Sequence, residues 1–316
     1  MATTSISITP QFGNNTVTAI NCGTSSPRLG GTVDISAFPN LQEFRCNSND
    51  ITAISGYANN SNLTFITVLN NKITGSIPSF TGTPNLATAF FNNNLYSGSI
   101  PNYNSALRNL QCSINQLTGT IPNFTNNNWL FFQAHTNAGL TGPIPPALSS
   151  QSVMVNFIVH KCSLTGTVPN IDNCVAMRRF LLADNNFSGS IPNLSNNVNL
   201  QDAWFNHCFF TGAIPNLSNC TSLKQFSCTN QKGVTKLTSF AGGSVSNTLG
   251  DFKASNNQLN STAVNAILAA FVAAGRTSAS GTCILNLGGS GNAAPTGQGL
   301  TDKATLVSRG WTVTTN

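Results

Sequence analysis

A four-residue tail, Gly-x-Ile-Pro or Gly-x-Val-Pro, returns seven times in one register between Gly75 and Pro215, and no other feature restricts the fold so tightly. Each tail closes a longer unit, L-x-x-L-x-L-x-x-N-x-L-x-G-x-I-P. The unit is plain in NLTFITVLNNKITGSIP from Asn62, MRRFLLADNNFSGSIP from Met177 and NLQDAWFNHCFFTGAIP from Asn199. Units open near Val17, Leu41, Leu63, Leu86, Leu107, Trp129, Met154, Met177, Leu200, Leu223 and Leu249, at spacings of 21 to 26 residues, and CILNL from Cys283 reads as a degenerate twelfth.

With the first Leu as position 0, apolar residues at 3 and 5 mark one short strand per unit. Such strands stack in parallel about 4.8 Å apart. Positions 0, 3, 5, 10 and 14 point inward, and because no unit can bury that set alone, neighbours must stack into one core. The Asn at position 8 (Asn71, Asn94, Asn115, Asn137, Asn185, Asn257) turns inward, where its amide satisfies backbone groups of the adjacent turn. Gly at position 12 relieves crowding or allows a positive φ. The Pro behind the tail lacks an N–H where no ladder requires one.

This unit resembles the leucine-rich repeat, in the G-x-I-P form best known from plant receptors and inhibitors and found also in bacterial and phage proteins. The resemblance implies an α/β solenoid: a leucine-rich-repeat superhelix of about 11–12 repeats with a parallel β-sheet on the concave face and a helical/strand C-terminal cap. It divides the chain into an N-terminal strand that forms an arm or cap (1–16), the solenoid (17–260) and a C-terminal capping region (261–316). In the last part STAVNAILAAFVAAGR reads as an amphipathic helix, with Ser261 as cap, Val264, Ile267, Leu268, Phe271 and Val272 as its apolar face and Gly275 as its stop. The strand CILNL, a short helix and a terminal strand follow. The closing GNAAPTGQGLTDKATLVSRGWTVTTN is similar to the closing segment of leucine-rich-repeat proteins encoded by tailed phages and their relatives.

Charge narrows the partners. Asp, Glu, Lys and Arg make up only 7% of the chain, against about 25% in an average protein. The 14 basic residues are scattered, so the net +6 builds no phosphate-neutralising face and nucleic acid is not expected. No apolar run approaches the ~20 residues of a membrane span. The start, MATTSISITPQFGNN, lacks the basic and apolar regions of a signal peptide, which points to synthesis in a cytoplasm.

Catalytic chemistry is not expected. The eight carboxylates include one pair in neighbouring repeats, Asp184 and Asp202, that could approach the separation of a glycosidase pair, although solvated surface describes them better. No G-x-S-x-G elbow, phosphate loop or H-E-x-x-H occurs. Eight of the nine cysteines sit at core positions of the repeat and read as buried thiols: Cys22, Cys46, Cys112 and Cys228 at position 5, Cys162 and Cys208 in place of the Asn, Cys174 and Cys220 three residues before a unit. Without a C-x-x-C pair neither zinc nor another cofactor is implied.

What remains is a surface. Outward positions 2, 4 and 6 of the strands carry Phe65, Phe90, Phe131, His135, Ile158, His160, Leu181 and Trp204, interleaved with Asn92, Gln111, Gln133 and Asn206. His135 and His160 share position 6 of successive units. An exposed aromatic stripe marks an interaction site, and these eight residues are the expected partner-binding set. The reading is a non-enzymatic binding protein, a structural or decoration component of a phage particle that contacts virion subunits on the virion surface. The alternative is a receptor-binding or adhesin module, on a tail fibre or a bacterial cell surface, that grips host glycan or protein.

Overall fold

The computed structural model describes residues 16–23, 28–103, 106–124 and 128–316. The expected N-terminal arm lies outside them, apart from Thr16. The chain divides into two compact units, Met1–Thr141 and Gly142–Asn316. In the first, strands Ala19–Asn21, Glu43–Arg45, Phe65–Thr67, Thr88–Phe90, Asn109–Gln111 and Phe131–Gln133 pair in parallel in that order. In the second, Asn156–Ile158, Arg179–Leu181, Asp202–Trp204, Gln225–Ser227, Asp251–Lys253, Ile284–Asn286 and Thr312–Thr314 do the same. Each strand belongs to one expected repeat, except the last, which is the expected terminal strand. Every unit is thus a parallel solenoid of the leucine-rich-repeat kind.

The inward positions are as dry as the pattern requires. From Leu41 onward, positions 0, 3 and 5 of the named units are at most 1% exposed. Volume is balanced within a turn: Ala89 is followed by Phe91, Phe132 by Ala134, Ala203 by Phe205 and Phe252 by Ala254, so one large ring fills each layer. In the second unit these rings touch in sequence. Phe157, Phe180, Phe205, Phe226, Phe252, Phe271 and Trp311 lie with successive centroids 5.9, 5.9, 5.8, 5.4, 5.4 and 5.1 Å apart, within the favourable range for aromatic pairs.

The position-8 amides repeat one wiring, except that Asn257 only donates, its Oδ1 being buried without a partner. Asn94 Nδ2 donates to the carbonyls of Val68 (2.9 Å) and Phe91 (3.1 Å), while its Oδ1 accepts the Ile73 N–H at 3.1 Å. Asn185 repeats this with Val159 and Leu182, both at 2.9 Å, and with the Leu164 N–H at 3.0 Å. Asn71, Asn115 and Asn137 follow suit, Gln231 does it with one more methylene, and Asn292 supplies it in the degenerate Cys283 turn. Where Cys208 stands instead, the thiol reaches the Leu182 carbonyl at 3.6 Å.

Three features were not foreseen. The residue before each amide, at position 7, adopts the left-handed conformation: Ser48, Asn70, Asn93, Ile114 and Thr136 in the first unit, Lys161, Asp184, His207, Asn230 and Asn256 in the second, all with φ of 53–57°. Next, the stretch after the amide forms a second parallel row of strands, including Ser97–Ser99, Gln116–Gly119 and Gly139–Gly142 in the first unit and Ser163–Thr167, Asn186–Gly189 and Phe209–Phe210 in the second. The tail glycines lie in or beside these strands with φ of 74–82° (Gly75, Gly98, Gly119, Gly142, Gly166, Gly189, Gly212), so their purpose is the positive φ. Third, Cys22 and Cys46 form a disulfide rather than staying free thiols. They occupy position 5 of successive turns, where the stacked strands bring their Cα atoms to 4.7 Å. The other seven cysteines are buried thiols outside the disulfide.

The second unit is closed by helix α1, Ser261–Ala274, and helix α2, Gln298–Ser308. The cap of α1 is Asn260, one residue before the expected Ser261: its side chain accepts the Ala263 N–H at 2.8 Å. Val264, Ile267, Leu268 and Phe271 are buried as expected, whereas Val272 is half-buried. Gly275 ends the helix at φ 73°. Trp311 packs on Phe271 and donates its indole N–H to the Arg276 carbonyl at 3.0 Å.

Two experiments probe this interior. Asn185→Leu strands two carbonyls and one N–H in a dry core and should cost about 2–4 kcal/mol, whereas Cys208→Asn restores the missing amide and should gain about 0.5–1.5 kcal/mol; urea melts of both variants decide it. Burial pushes the thiols of Cys174, Cys208 and Cys220 up to about 11, so at neutral pH they should resist iodoacetamide until the chain is denatured. Mass mapping should then find one disulfide, Cys22–Cys46, and seven alkylated thiols.

Candidate functional site

Side chains at positions 2, 4 and 6 leave the main sheet on the side opposite the core, and register aligns them in rows. In the first unit the position-2 row carries Glu43, Phe65, Thr88, Asn109 and Phe131, and the position-4 row Arg45, Thr67, Phe90, Gln111 and Gln133. Phe65 and Phe90, each half-buried, meet edge to face at 5.8 Å. The Arg45 guanidinium lies 3.9 Å above the Phe65 ring, steadied by Glu43 at 3.0 Å. The amides between them are tied to neighbouring rungs: Asn92 Nδ2 donates to Gln111 Oε1 and Asn109 Nδ2 to Thr88 Oγ1, both at 3.0 Å. Phe131 and His135 are half-buried on the same face, with His135 Nδ1 3.1 Å from Thr136 Oγ1.

In the second unit the position-4 row runs Ile158, Leu181, Trp204, Ser227, Lys253. Two residues of the expected stripe need correcting here. Ile158 and Leu181 are only 6% and 7% exposed, so they are a buried footing and not contact surface. Position parity sends them outward, but the side chains beside them close over branched aliphatic groups. His160 and Trp204, both half-buried, meet at 6.2 Å between ring centroids. The turn between them carries only Ala183 at position 6, which is 3% exposed. Burial is the largest cause, ahead of the Lys161 charge, that holds His160 below its ordinary value.

The carboxylates are engaged structurally. Asp184 Oδ1 lies 2.7 Å from His207 Nδ1, Asp202 bridges Arg179 at 3.2 Å and Asp251 bridges Lys253 at 2.8 Å. In the first unit Glu43 holds Arg45 and Asp50 holds Lys72 at 2.9 Å. Asp34 accepts the Ser36 N–H, Asp172 binds the Asn170 and Asn193 amides, and Asp302 binds Gln298. All eight therefore have a local partner, and Asp184 and Asp202 face different ones. Among the described residues no three His, Cys, Asp or Glu side chains gather as a metal-ligand set.

Sequence reasoning missed one apolar feature. Val175 (47% exposed) and Val198 (43%) precede the repeat openings Met177 and Leu200 by two residues and border a hollow of about 620 Å³ with Asp172, Ser195 and Asn219. They fall in the variable polar stretch between repeats, so no period singles them out.

Solved structures share this fold. The Arabidopsis receptor kinase HAESA in complex with the peptide hormone IDA and the co-receptor SERK1 is 24% identical, with a TM-score of 0.64 over 74% of this chain and 41% of that one. The PEPR1–AtPEP1 structure is 21% identical at TM-score 0.60, over 87% of this chain and 46% of that one. A leucine-rich-repeat protein of Leptospira interrogans is 15% identical at TM-score 0.51, over 90% of this chain and 75% of that one. The chain thus spans less than half the length of the two plant receptor chains. Neither a family model nor a curated protein sequence matches it.

One measurement tests the second face. His160 should titrate below the ordinary 6.5 by NMR, and Trp204→Ala, by uncovering the imidazole, should move it back upward. An unchanged value in the variant would mean that the indole does not shield it.

Proposed function

We propose that this chain is a non-catalytic binding module that holds a protein partner on the outward face of its strand rows. One observation carries the reading: half-exposed rings there are braced from the side, Phe65 by Arg45 and Phe90, Trp204 by His160. Braced aromatic groups lose little conformational freedom on contact, which is how interface anchors gain affinity. The engaged carboxylates agree with it, since Glu43, Asp202 and Asp251 on the rows each hold a basic partner. HAESA, a protein of the same fold, was solved with a peptide hormone, and a protein or peptide segment is the partner class proposed here.

The proposed setting is the surface of a phage particle, assembled in the host cytoplasm, with a neighbouring virion subunit as the partner. Its support is the closing segment at 291–316, similar to that of phage-encoded relatives. Multivalent contacts on a repeating lattice hold such a subunit without high affinity per copy. Particles lacking the protein should then assemble and adsorb at near-normal rates with lowered resistance to heat or osmotic shock. Collapsed adsorption at unchanged stability would replace this setting by the adhesin, in which the same face grips a host surface.

The face itself is tested by substitution. Phe90→Ser, Phe131→Ser and Trp204→Ser should each weaken partner attachment while costing about 1 kcal/mol or less of stability. Leu182→Ala should instead cost about 2–5 kcal/mol, because Leu182 is a core residue. Surface variants that unfold as readily as the core variant would overturn the contact-face reading.

A further inference from the structure

The position-4 row of the second unit has a step in it. Ile158 and Leu181 rise to Trp204, the next rung drops to Ser227, and Lys253 follows. Trp204 and Lys253 are two strand spacings apart, about 9.6 Å, and strand side chains stand nearly upright on the sheet. The result is a slot one rung wide, with an indole for one wall, an ammonium-bearing chain for the other and a hydroxyl for its floor. A hollow of about 220 Å³ lies there, flanked by Asn206 and Thr229 on one side and by Gln225 and Asp251 on the other.

The chemistry of the lining narrows the occupant. Apart from Trp204 and the fully buried Phe226 beneath, every lining side chain is a hydrogen-bonding group. Lys253 and Asp251 neutralise each other at 2.8 Å, so the slot offers no net charge to a cation or an anion. Two oxygens under it, Asn206 Oδ1 and Asp251 Oδ1, are buried without a hydrogen-bond partner. Unpaired buried acceptors are costly, and the soft terminal torsions of Asn and Asp let a small rotation present either oxygen to a donor in the slot. The fitting ligand is neutral, flat on one side and apolar there, with hydroxyl donors around its rim.

We propose that this slot binds one neutral pyranose ring, its C–H face against Trp204 and its hydroxyls toward Asn206, Gln225, Asp251 and Lys253. At van der Waals distance from the indole, about 3.5–4 Å, the ring sits over Ser227 and meets Lys253 on its far side. The braced His160–Trp204 pair keeps the indole upright without occupying the slot face. The inference rests on the outward face being a contact surface, and it adds a glycan contact to the protein contacts proposed above.

The test uses fluorescence. Trp129 and Trp311 are 1% and 3% exposed, so Trp204 is the half-buried tryptophan that solvent quenchers reach. The methyl glycosides of glucose, galactose and mannose are titrated against the full chain while indole emission and acrylamide quenching are followed. At least one should shift emission saturably and protect Trp204. Binding to the variants is read by titration calorimetry, because the Trp204 variants lack the reporter: Ser227→Leu, which fills the slot but keeps the indole, and Trp204→Ala should each weaken it about tenfold or more, the loss of roughly one good ring contact. Trp204→Phe should retain part of it. The proposal is overturned if none of the glycosides saturates, if Ser227→Leu binds as the parent does, or if N-acetyl-leucinamide saturates in their place, which would make the slot a pocket for a protein side chain. Partner attachment that survives in Ser227→Leu while glycoside binding is lost keeps the two readings separate.

Discussion

The inward carboxamide at position 8 is the interaction on which the rest of this structure depends. Amides such as Asn94 and Asn185 tie three backbone groups of two successive turns, so adjacent turns share hydrogen bonds that neither could satisfy alone. Holding it there requires a sharp reversal at the end of every strand, and that reversal is the left-handed residue at position 7. For residues other than Gly, that conformation costs roughly 1–2 kcal/mol each. Asn and Asp tolerate it best and fill five of the ten sites, but Ile114 and Thr136 adopt it as well. A β-branched side chain in this region shows that the stacked turn decides the local backbone, not the propensity of the residue, and Lys161 and His207 adopt it before Cys162 and Cys208, where no amide stands.

From that constraint the layers follow. A fixed turn fixes register, and fixed register stacks position 3 on position 3 and position 5 on position 5. The rings of the second unit can therefore alternate between these positions, Phe180 to Phe205 to Phe226, without leaving a void. The same file of rings runs into the cap through Phe271 and Trp311, so α1 and α2 complete the core with aromatic contacts of the same kind. Closing it with Trp is costly unless the indole N–H finds a partner, and the Arg276 carbonyl, just past the end of α1, supplies one.

How much of this the sequence disclosed depends on whether a feature is carried by side chains. The inward positions, the amides, the tail glycines and α1 were legible because each demands a residue type at a fixed spacing. The second strand row was not, since backbone bonds hold it: a Ser or Thr precedes every tail glycine, as Ser97, Thr118 and Ser188 do, but that residue type does not by itself demand a strand. Ser261 and Asn260 are both good caps, and only geometry chooses between them. For Ile158 and Leu181 parity gave the direction but not what lies over them. The Cys22–Cys46 bond did have a signal: two cysteines at the same position of successive turns are brought within bonding reach by the stack itself.

A repeat of this kind separates what must stay from what can change. The inward set and its amide are bound to one another through every turn, so a change there disturbs two turns at once. The outward rows take no part in the backbone ladder, and Ile, Leu, Trp, Ser and Lys occupy one row without altering its register. Where small residues follow large ones on such a row, the sheet itself supplies a slot of fixed width, because strand spacing does not vary. The step from Trp204 to Ser227 is therefore a shape that two substitutions on a rigid lattice are enough to make, and the face that carries it is the part of the molecule free to be tuned to a partner.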